Sequence, residues 1–403
     1  MAKALEGIRV LDLTQWLQGP VCSQFLADFG AEVIHIERPV TGDGARGVRS
    51  IKALPVGDWN QYFLVINRNK KSVAIDLKKK EGQELLCKMV EKADVFLSNF
   101  PMNVLRALGL TYQKFKEINP GIIYATNTGY GHAVEVNRPS YDINVQALTG
   151  LMTRQGEPGQ PPIYLGMGSG DTYGGIMSAL GIMMALYQRR RTGEGQSIDA
   201  SLYGAQLFMA APTLQPFLAS RKELYSIQQS RKQVGNPLWN CYRAKDKWIF
   251  LCQENTDESW SRLCQSLDQP DLAGEARFAT AKERAQNNAE LITTLDGIVK
   301  HRSAQEWMDR FAPVGIVASP IQNLEDISED PQAWENDYLV KAHCDEVDRE
   351  VDVRGLPVTL SKTPGSVETL GPELGQDTEL ILADMLGISW DRIGELKEQG
   401  VIP

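Results

Sequence analysis

Along the first third of the chain the apolar positions fall into two periods. Ile8-Arg9-Val10-Leu11-Asp12-Leu13 reads as a strand, and Glu32-Val33-Ile34-His35-Ile36-Glu37 is a second with a clean alternation. Between them Pro20 opens a helical stretch through Phe29, which Gly30 stops in the manner of a C-terminal cap. Leu85, Leu86, Met89 and Val90 share one face of an amphipathic helix over 81–93. Strands follow at 94–99 and, after Pro120-Gly121, at 122–126. This strand–helix rhythm predicts an α/β fold: a Rossmann-like large domain with a mostly parallel sheet.

Beyond it the pattern changes twice. Residues 153–175 are rich in Gly and Pro and read as loop. A long helix then runs to Arg191, Thr192-Gly193-Glu194-Gly195 turns into a strand at 196–200, and 201–217 is helical and apolar. From about Arg221 the chain is polar to 234, forms a strand at 247–252, and reads as several short helices over 256–311. Strands return near 314–321 and 351–360, and a short helix at 376–386. The expected organisation is a large domain over 1–220, a smaller α+β domain over 225–320, and a segment over 321–403 that returns to the large domain.

Composition narrows the function. The 403 residues carry a net charge of −9, the opposite of the basic footprint of a nucleic-acid binder. Four histidines give little material for a metal site, and none is expected. Cys22, Cys87, Cys241, Cys252, Cys264 and Cys344 form no C-x-x-C pair and read as reduced thiols of a cytoplasmic protein. The opening MAKALEGIRVLDL has no long apolar run, and the 14 residues GGIMSALGIMMALY from Gly174 are too short to cross a bilayer, so no membrane partner is expected. The first turn carries only Gly19 in Gln18-Gly19-Pro20, not G-x-G-x-x-G, which argues against a nicotinamide or flavin cofactor.

Three groups of residues could carry chemistry. Gly166-Met167-Gly168-Ser169-Gly170-Asp171 lets backbone approach a ligand closely. Asp171, where this run enters the long helix, reads as an N-cap, as a positioned and ionised nucleophile, or as both. Arg138-Pro139-Ser140-Tyr141-Asp142 either caps and packs a helix or forms a wall beside Asp171. Arg38, Arg46, Arg68, Lys70, Lys71 and Arg106 are solvated charges or, for those beyond the carboxyl ends of strands, a cradle for a polyphosphate. Cys22 reads as a buried, inert thiol.

Taken in order, these motifs resemble the class III CoA-transferases, the family of formyl-CoA, carnitine and bile-acid CoA-transferases. The similarity covers nearly the whole chain. It is carried by L-x-G-I-R-V-L-D-L from Leu5, G-A-E-V-I-H-I-E-R-P from Gly30, N-x-N-K-K-S-V-A-I-D-L from Asn67, R-P-S-Y-D from Arg138, G-D-T-Y-G-G from Gly170 and T-G-E-G-Q-S-I-D-A-S from Thr192.

The resemblance implies that Asp171 is the catalytic nucleophile, passing through an acyl-aspartyl anhydride and an aspartyl-CoA thioester, with backbone N–H groups of Gly168 and Gly170 as oxyanion donors. It implies CoA contacts at Arg38, Asn99, Phe100 and Arg106, with Lys70, Lys71, Arg138, Tyr141 and Asp142 along its path. CoA and its thioesters would be substrates, with no permanently bound cofactor. It also implies an interlocked dimer, as a homodimer or as a heteromer with a paralogous subunit.

The chain has Leu17 where formyl-CoA transferases have Gln, and Gly235-Asn236-Pro237 near the place of their glycine-rich flap, which argues against formyl or oxalyl transfer. The run Asp330-Pro331-Gln332-Ala333-Trp334-Glu335-Asn336-Asp337-Tyr338-Leu339 resembles transferases for 2-hydroxy acids, with benzylsuccinate transferases close by, enzymes of anaerobic aromatic or amino-acid catabolism. The expected reaction moves CoA from a donor such as succinyl-CoA to a bulky or aromatic acid. One alternative is an α-methylacyl-CoA racemase of the same superfamily, which has His where this chain has Tyr141, a poor base at neutral pH. His132 is read as a solvated loop residue. The other alternative is a non-catalytic CoA-binding subunit.

Overall fold

The computed structural model describes residues 2–52, 56–133, 138–222 and 228–403. The chain divides into two compact units, Met1–Leu151 with Tyr164–Ala219 and Pro331–Pro403, and Met152–Ile163 with Ser220–Asp330. Residues 152–163 and 321–330 therefore group with the second unit, although the sequence reading placed them in the first domain and the returning segment. The expected boundary at 225 lies outside the described residues.

The first unit opens with β1 (Arg9–Leu13), α1 (Gln18–Asp28), β2 (Glu32–Glu37), α2 (Gln61–Ile66), β3 (Lys70–Ala74), α3 (Lys80–Val90) and β4 (Val95–Ser98). It continues with α4 (Met102–Ala107), α5 (Tyr112–Ile118), β5 (Ile123–Thr126), α6 (Asp142–Leu148), α7 (Ser169–Thr192), β6 (Ser197–Asp199), α8 (Leu202–Met209) and α9 (Ala211–Ser220). All six strands are parallel, in the order β3-β2-β1-β4-β5-β6, the doubly wound Rossmann-like arrangement.

The two-residue period of the strands sorts their side chains onto two faces. Leu11, Leu13, Ile34, Ile36, Phe96 and Tyr124 pack with α3 and α5 on one face. Val10, Val33, Val95, Leu97, Ile123 and Ala125 pack with α1 and α7 on the other.

The second unit holds β7 (Trp239–Arg243), β8 (Trp248–Cys252), α10 (Asp257–Ser266), α11 (Ala281–Gln286), α12 (Asn288–Val299), α13 (Ala304–Phe311), β9 (Ala318–Pro320) and α14 (Leu324–Ser328). Its three strands form an antiparallel sheet, and its helices bury Trp260, Leu291, Leu295 and Trp307 against it.

The chain then returns to the first unit with α15 (Pro331–Glu335), the hairpin β10 (Leu339–Cys344) and β11 (Arg349–Arg354), α16 (Thr378–Leu386) and α17 (Trp390–Glu398). Asp377 and Thr378 accept the backbone N–H groups of Ser72 and Ala74, which covers the open edge at β3. Ile381, Leu382, Leu396, Val401 and Ile402 complete the core on that face.

Some expectations need correction. The helix read over 201–217 is two helices, α8 and α9, and the strand read over 351–360 ends at Arg354. β3 escaped the pattern because its polar Lys70, Lys71 and Ser72 pair with charged partners instead of apolar ones. Among the described residues no helix is long and apolar enough to cross a membrane, and no cluster of His, Cys, Asp or Glu could hold a metal.

Candidate functional site

The strand order reverses between β1 and β4, and the crevice beyond their carboxyl ends is where ligands of such sheets bind. β1 runs into Thr14-Gln15-Trp16-Leu17 and β4 into Asn99-Phe100. Asn99 ties the two ends together. Its Oδ1 accepts the Gln15 N–H at 2.9 Å and its Nδ2 donates to the Gln15 carbonyl at 2.7 Å.

A cleft of about 450 Å³ opens beside this point, between the segments that follow β4 and β5. Asn99, Phe100, Arg106, Asn127, His132 and Arg138 line it. It thus brings together four of the expected CoA residues: Asn99, Phe100, Arg106 and Arg138. The Arg138 guanidinium lies 4.3 Å over the Tyr130 ring. Arg38 stands exposed just past β2 and is not part of this lining. Tyr141 precedes α6 and is 71% exposed.

Asp171 sits in the first turn of α7. It is not the N-cap: Gly168 holds that position with φ 83°, a left-handed conformation that favours glycine. The turn is built around Asp142, a buried residue at the start of α6. Its Oδ2 accepts the Gly168 N–H at 2.6 Å and Gln146 Nε2 at 3.1 Å, and its Oδ1 accepts the Gly170 N–H and Gln206 Nε2, both at 3.0 Å. Gln146 also accepts the Leu165 N–H at 2.9 Å and donates to the Gly166 carbonyl at 3.1 Å. A Cβ on Gly170 would come within 2.0 Å of Gln206 Nε2 and 2.3 Å of Asp142 Oδ1, so only glycine fits there.

Two expectations change here. The Asp142 carboxylate is taken up by its four donors, so its role is to build the turn. The Gly168 and Gly170 N–H groups face Asp142 and not a developing oxyanion.

The Asp171 carboxylate has no hydrogen bond or ion pair among the described residues. Burial, and then the negative charge of Asp142, push its carboxyl up to about 7. The sequence reading expected the helix terminus to hold it ionised, but desolvation outweighs the helix dipole. Leu17 touches the turn, since a Cβ on Gly168 would lie 2.6 Å from Leu17 Cδ2. Leu17 and Tyr62 pack on one cluster with Ala45 and Phe63. The Tyr62 hydroxyl is raised by burial and by the charges of Asp171 and Asp43. Glycines also let α1 reach this end of α7, where a Cβ on Gly174 or Gly175 would meet Gln18 Nε2 at 2.8 Å or the Gln18 carbonyl at 2.6 Å.

Lys70 and Lys71 are not part of the cleft. Lys70 Nζ is buried, bonded to Asn67 Oδ1 at 2.7 Å, Asp12 Oδ2 at 3.1 Å and the Pro20 carbonyl at 3.2 Å. Lys71 pairs with Glu32 at 2.7 Å, at the opposite, amino end of β2. The Lys70–Asp12 pair belongs to a buried charge network. Asp12 also accepts from Ser23 at 2.6 Å and Thr14 at 2.5 Å and lies 3.2 Å from His35 Nδ1. Burial alone would raise the Asp12 carboxyl and lower His35. The mutual charges win, so Asp12 is held low and His35 high. Glu37 is held down to about 2 against its own burial by Arg46, which binds it at 2.6 and 2.7 Å.

His132 is exposed in its loop, as expected, and it also lines the cleft, with its Nε2 3.0 Å from Thr126 Oγ1 and 3.6 Å from Asp199. Cys22 is fully buried, and burial pushes its thiol up to about 12, as an inert thiol requires. Sequence reasoning missed Gln146, Gln206 and Tyr62, which lie on three separate helices with no local motif to announce them.

The family model for CoA-transferase family III matches residues 5–378. The chain is 31% identical to the succinyl-CoA–D-citramalate CoA-transferase of Chloroflexus aurantiacus, over 99% of this chain and 98% of that one. It is 29% identical to the (R)-2-hydroxy-4-methylpentanoate CoA-transferase of Clostridioides difficile, over 99% of each. A solved CAIB/BAIF family protein from Brucella suis superposes with a TM-score of 0.84 at 30% identity, covering 96% of this chain and 100% of that one.

Proposed function

The chain belongs to CoA-transferase family III, and we propose that it moves CoA from an acyl-CoA donor to a bulky or aromatic carboxylic acid, such as a 2-hydroxy acid or benzylsuccinate, with Asp171 as nucleophile. Succinyl-CoA is the first donor to test, because it is named for the Chloroflexus relative, and the Clostridioides relative is named for a 2-hydroxy acid.

The observation that carries this reading is the state of Asp171. Among the described residues it is a carboxylate without a hydrogen-bond partner, presented on a glycine-built turn, with a proton affinity raised to about 7. Such a group is substantially ionised near neutral pH and more nucleophilic than an ordinary carboxylate.

In the proposed sequence an Asp171 oxygen attacks the donor thioester carbonyl. The C–S bond breaks, giving an acyl-aspartyl anhydride and CoA thiolate. The thiolate attacks the Asp171 carbonyl, releases the donor as its carboxylate and leaves an aspartyl-CoA thioester. The acceptor carboxylate and the released thiolate then repeat the two steps in reverse order, restoring Asp171. No external proton donor or acceptor is needed, and each intermediate preserves the activation of the thioester. The amino end of α7 supplies the favourable field for negative charge, since the Gly168 and Gly170 N–H groups serve Asp142.

Arg106 and Arg138 in the cleft, with Arg38 beyond β2, suit the phosphates of CoA, and Asn99 and Phe100 suit its arm. An exposed apolar stripe on α7, Leu180, Met183, Met184 and Tyr187, favours assembly with a second copy or a paralogue.

The test is a panel of carboxylic acids with succinyl-CoA or acetyl-CoA in deuterated water, read by the masses of the CoA products. Transfer without deuterium at the α-carbon supports the proposal. Rapid α-exchange with no acceptor present would move the assignment to racemisation.

A further inference from the structure

Trp16 combines features that neither the fold nor the proposed chemistry requires. Among the described residues seven non-glycine residues take positive φ, and Trp16, at 69°, is the only aromatic one. A bulky side chain in this region is strained, and such strain persists only where surrounding structure imposes it. Here it is imposed from both sides. The buried Asp43 accepts the Trp16 N–H at 3.1 Å and the Ala45 N–H at 2.9 Å. On the other side Asn99 clamps both backbone groups of Gln15. The indole lies against Gly44, where a Cβ would come within 2.5 Å of Trp16 Cζ2. Yet Trp16 stays 47% exposed. The turn therefore spends conformational energy to hold a large aromatic surface in solvent, at the carboxyl end of β1.

The residues on either side of that contact lead to the reactive turn. Leu17, next to Trp16, touches Gly168, and Ala45, next to Gly44, belongs to the cluster on which Leu17 and Tyr62 pack, Tyr62 being the residue whose hydroxyl feels the Asp171 charge. The part of an acyl-CoA beside the nucleophile is the acyl group; the adenine lies at the opposite end of the CoA molecule from its sulfur.

We propose that Trp16 is the specificity-determining residue of this site, a preset platform on which an aromatic or other planar apolar group of the carboxylic acid stacks. This rests on the transfer reading above and adds to it the residue that chooses the acid. A rigid aromatic face held in advance selects such a group without the ordering cost of a mobile side chain.

The experiment uses the full chain with one donor and two acceptors, an aryl-substituted propanoate and acetate. It compares wild type with Trp16→Gly and Trp16→Phe, by kcat/KM for each acid and by thermal melting. Glycine adopts the positive φ without strain, so Trp16→Gly should melt no lower than wild type. Its ratio of kcat/KM, aryl acid over acetate, should fall about tenfold, and Trp16→Phe should restore most of that ratio. An unchanged ratio in Trp16→Gly would overturn the assignment even if wild type transfers CoA well. So would a lowered melting temperature with a loss of subunit association, which would make Trp16 a structural or interface residue. If wild type transfers CoA to neither acid but exchanges the α-hydrogen of its acyl-CoA, the transfer reading fails first, and the role of Trp16 falls with it.

Discussion

Asp171 and Asp142 show two carboxylates driven apart by their surroundings. Among the described residues Asp142 has four donors and anchors the turn, whereas Asp171 has none and sits partly buried beside that charge. Attack requires the ionised form of Asp171, so the rate of single-turnover acylation should rise with pH and level off above a midpoint near 7. A pH series of hydroxylamine-trapped enzyme measures it. The same shift has a stability sign. Asp171 binds its proton more tightly folded than unfolded, where the value is about 4, so stability falls as pH rises from there through about 7. Asp171→Asn should therefore be more stable than wild type at pH 8, on the order of 2–4 kcal/mol, and near equal at pH 4, by urea denaturation. Asp142→Ala leaves buried Gly168 and Gly170 N–H groups unpaired and should cost about 2–4 kcal/mol, with transfer lost. The position of Asp171 was legible because a glycine run before a helix is a local pattern. Its protonation was not, because the burial that raises it most is set by tertiary packing, and the charge that adds to it comes from Asp142, 29 positions earlier in another helix.

At the scale of elements, the parallel strands were legible because both of their faces are apolar and alternate onto separate cores. β3 was not, because Lys70 spends its charge inside the protein on Asp12, a partner 58 residues away. A lysine at a strand that ends near a ligand crevice looks like a phosphate contact until its partner is known. Lys70→Met should therefore act on the fold and not on the ligand. It leaves the Asp12 carboxylate with one charge partner fewer in the core and should cost about 3–5 kcal/mol. The affinity for CoA of the folded fraction, by calorimetry, should match wild type. Arg106→Ala, inside the cleft, should do the reverse, weakening CoA by about 1.5–3 kcal/mol. The crossing of α1 and α7 is equally specific. Gly175→Ala would bring a Cβ within 2.6 Å of the Gln18 carbonyl, a backbone atom that cannot swing aside, and should cost about 1–3 kcal/mol in denaturant melts.

Over the whole molecule the pH dependences oppose one another. Asp12 and Glu37 have folded values held below the ordinary carboxylate range, so what they contribute is present above that range and lost as pH falls through their folded values, about 2 for Glu37. His35, held high, contributes fully below its unfolded value of about 6.5 and loses that contribution as pH rises through its folded one. Asp171 adds a second decline, between about 4 and 7. Stability should thus peak at mildly acidic pH, below the pH at which acylation levels off, and Asp171→Asn should remove part of the decline above the peak. Melting temperatures from pH 4 to 9 on both proteins check this. Chain organisation was only partly legible. The turn to short helices after 221 marks the second unit, but nothing local in 152–163 tells that this loop packs with it. The strand-covering contacts of Asp377 and Thr378 span more than 300 residues.

The most direct measurement is covalent capture at Asp171. With an acyl-CoA donor present, hydroxylamine should convert the Asp171 carbonyl to a hydroxamate and borohydride should reduce its thioester, and peptide mass spectrometry should place both products within 166–175. Asp171→Asn, checked for deamidation, should give neither product and no transfer. Transfer retained by that variant, or a wild type that turns over a donor while the peptide stays unmodified, contradicts the account.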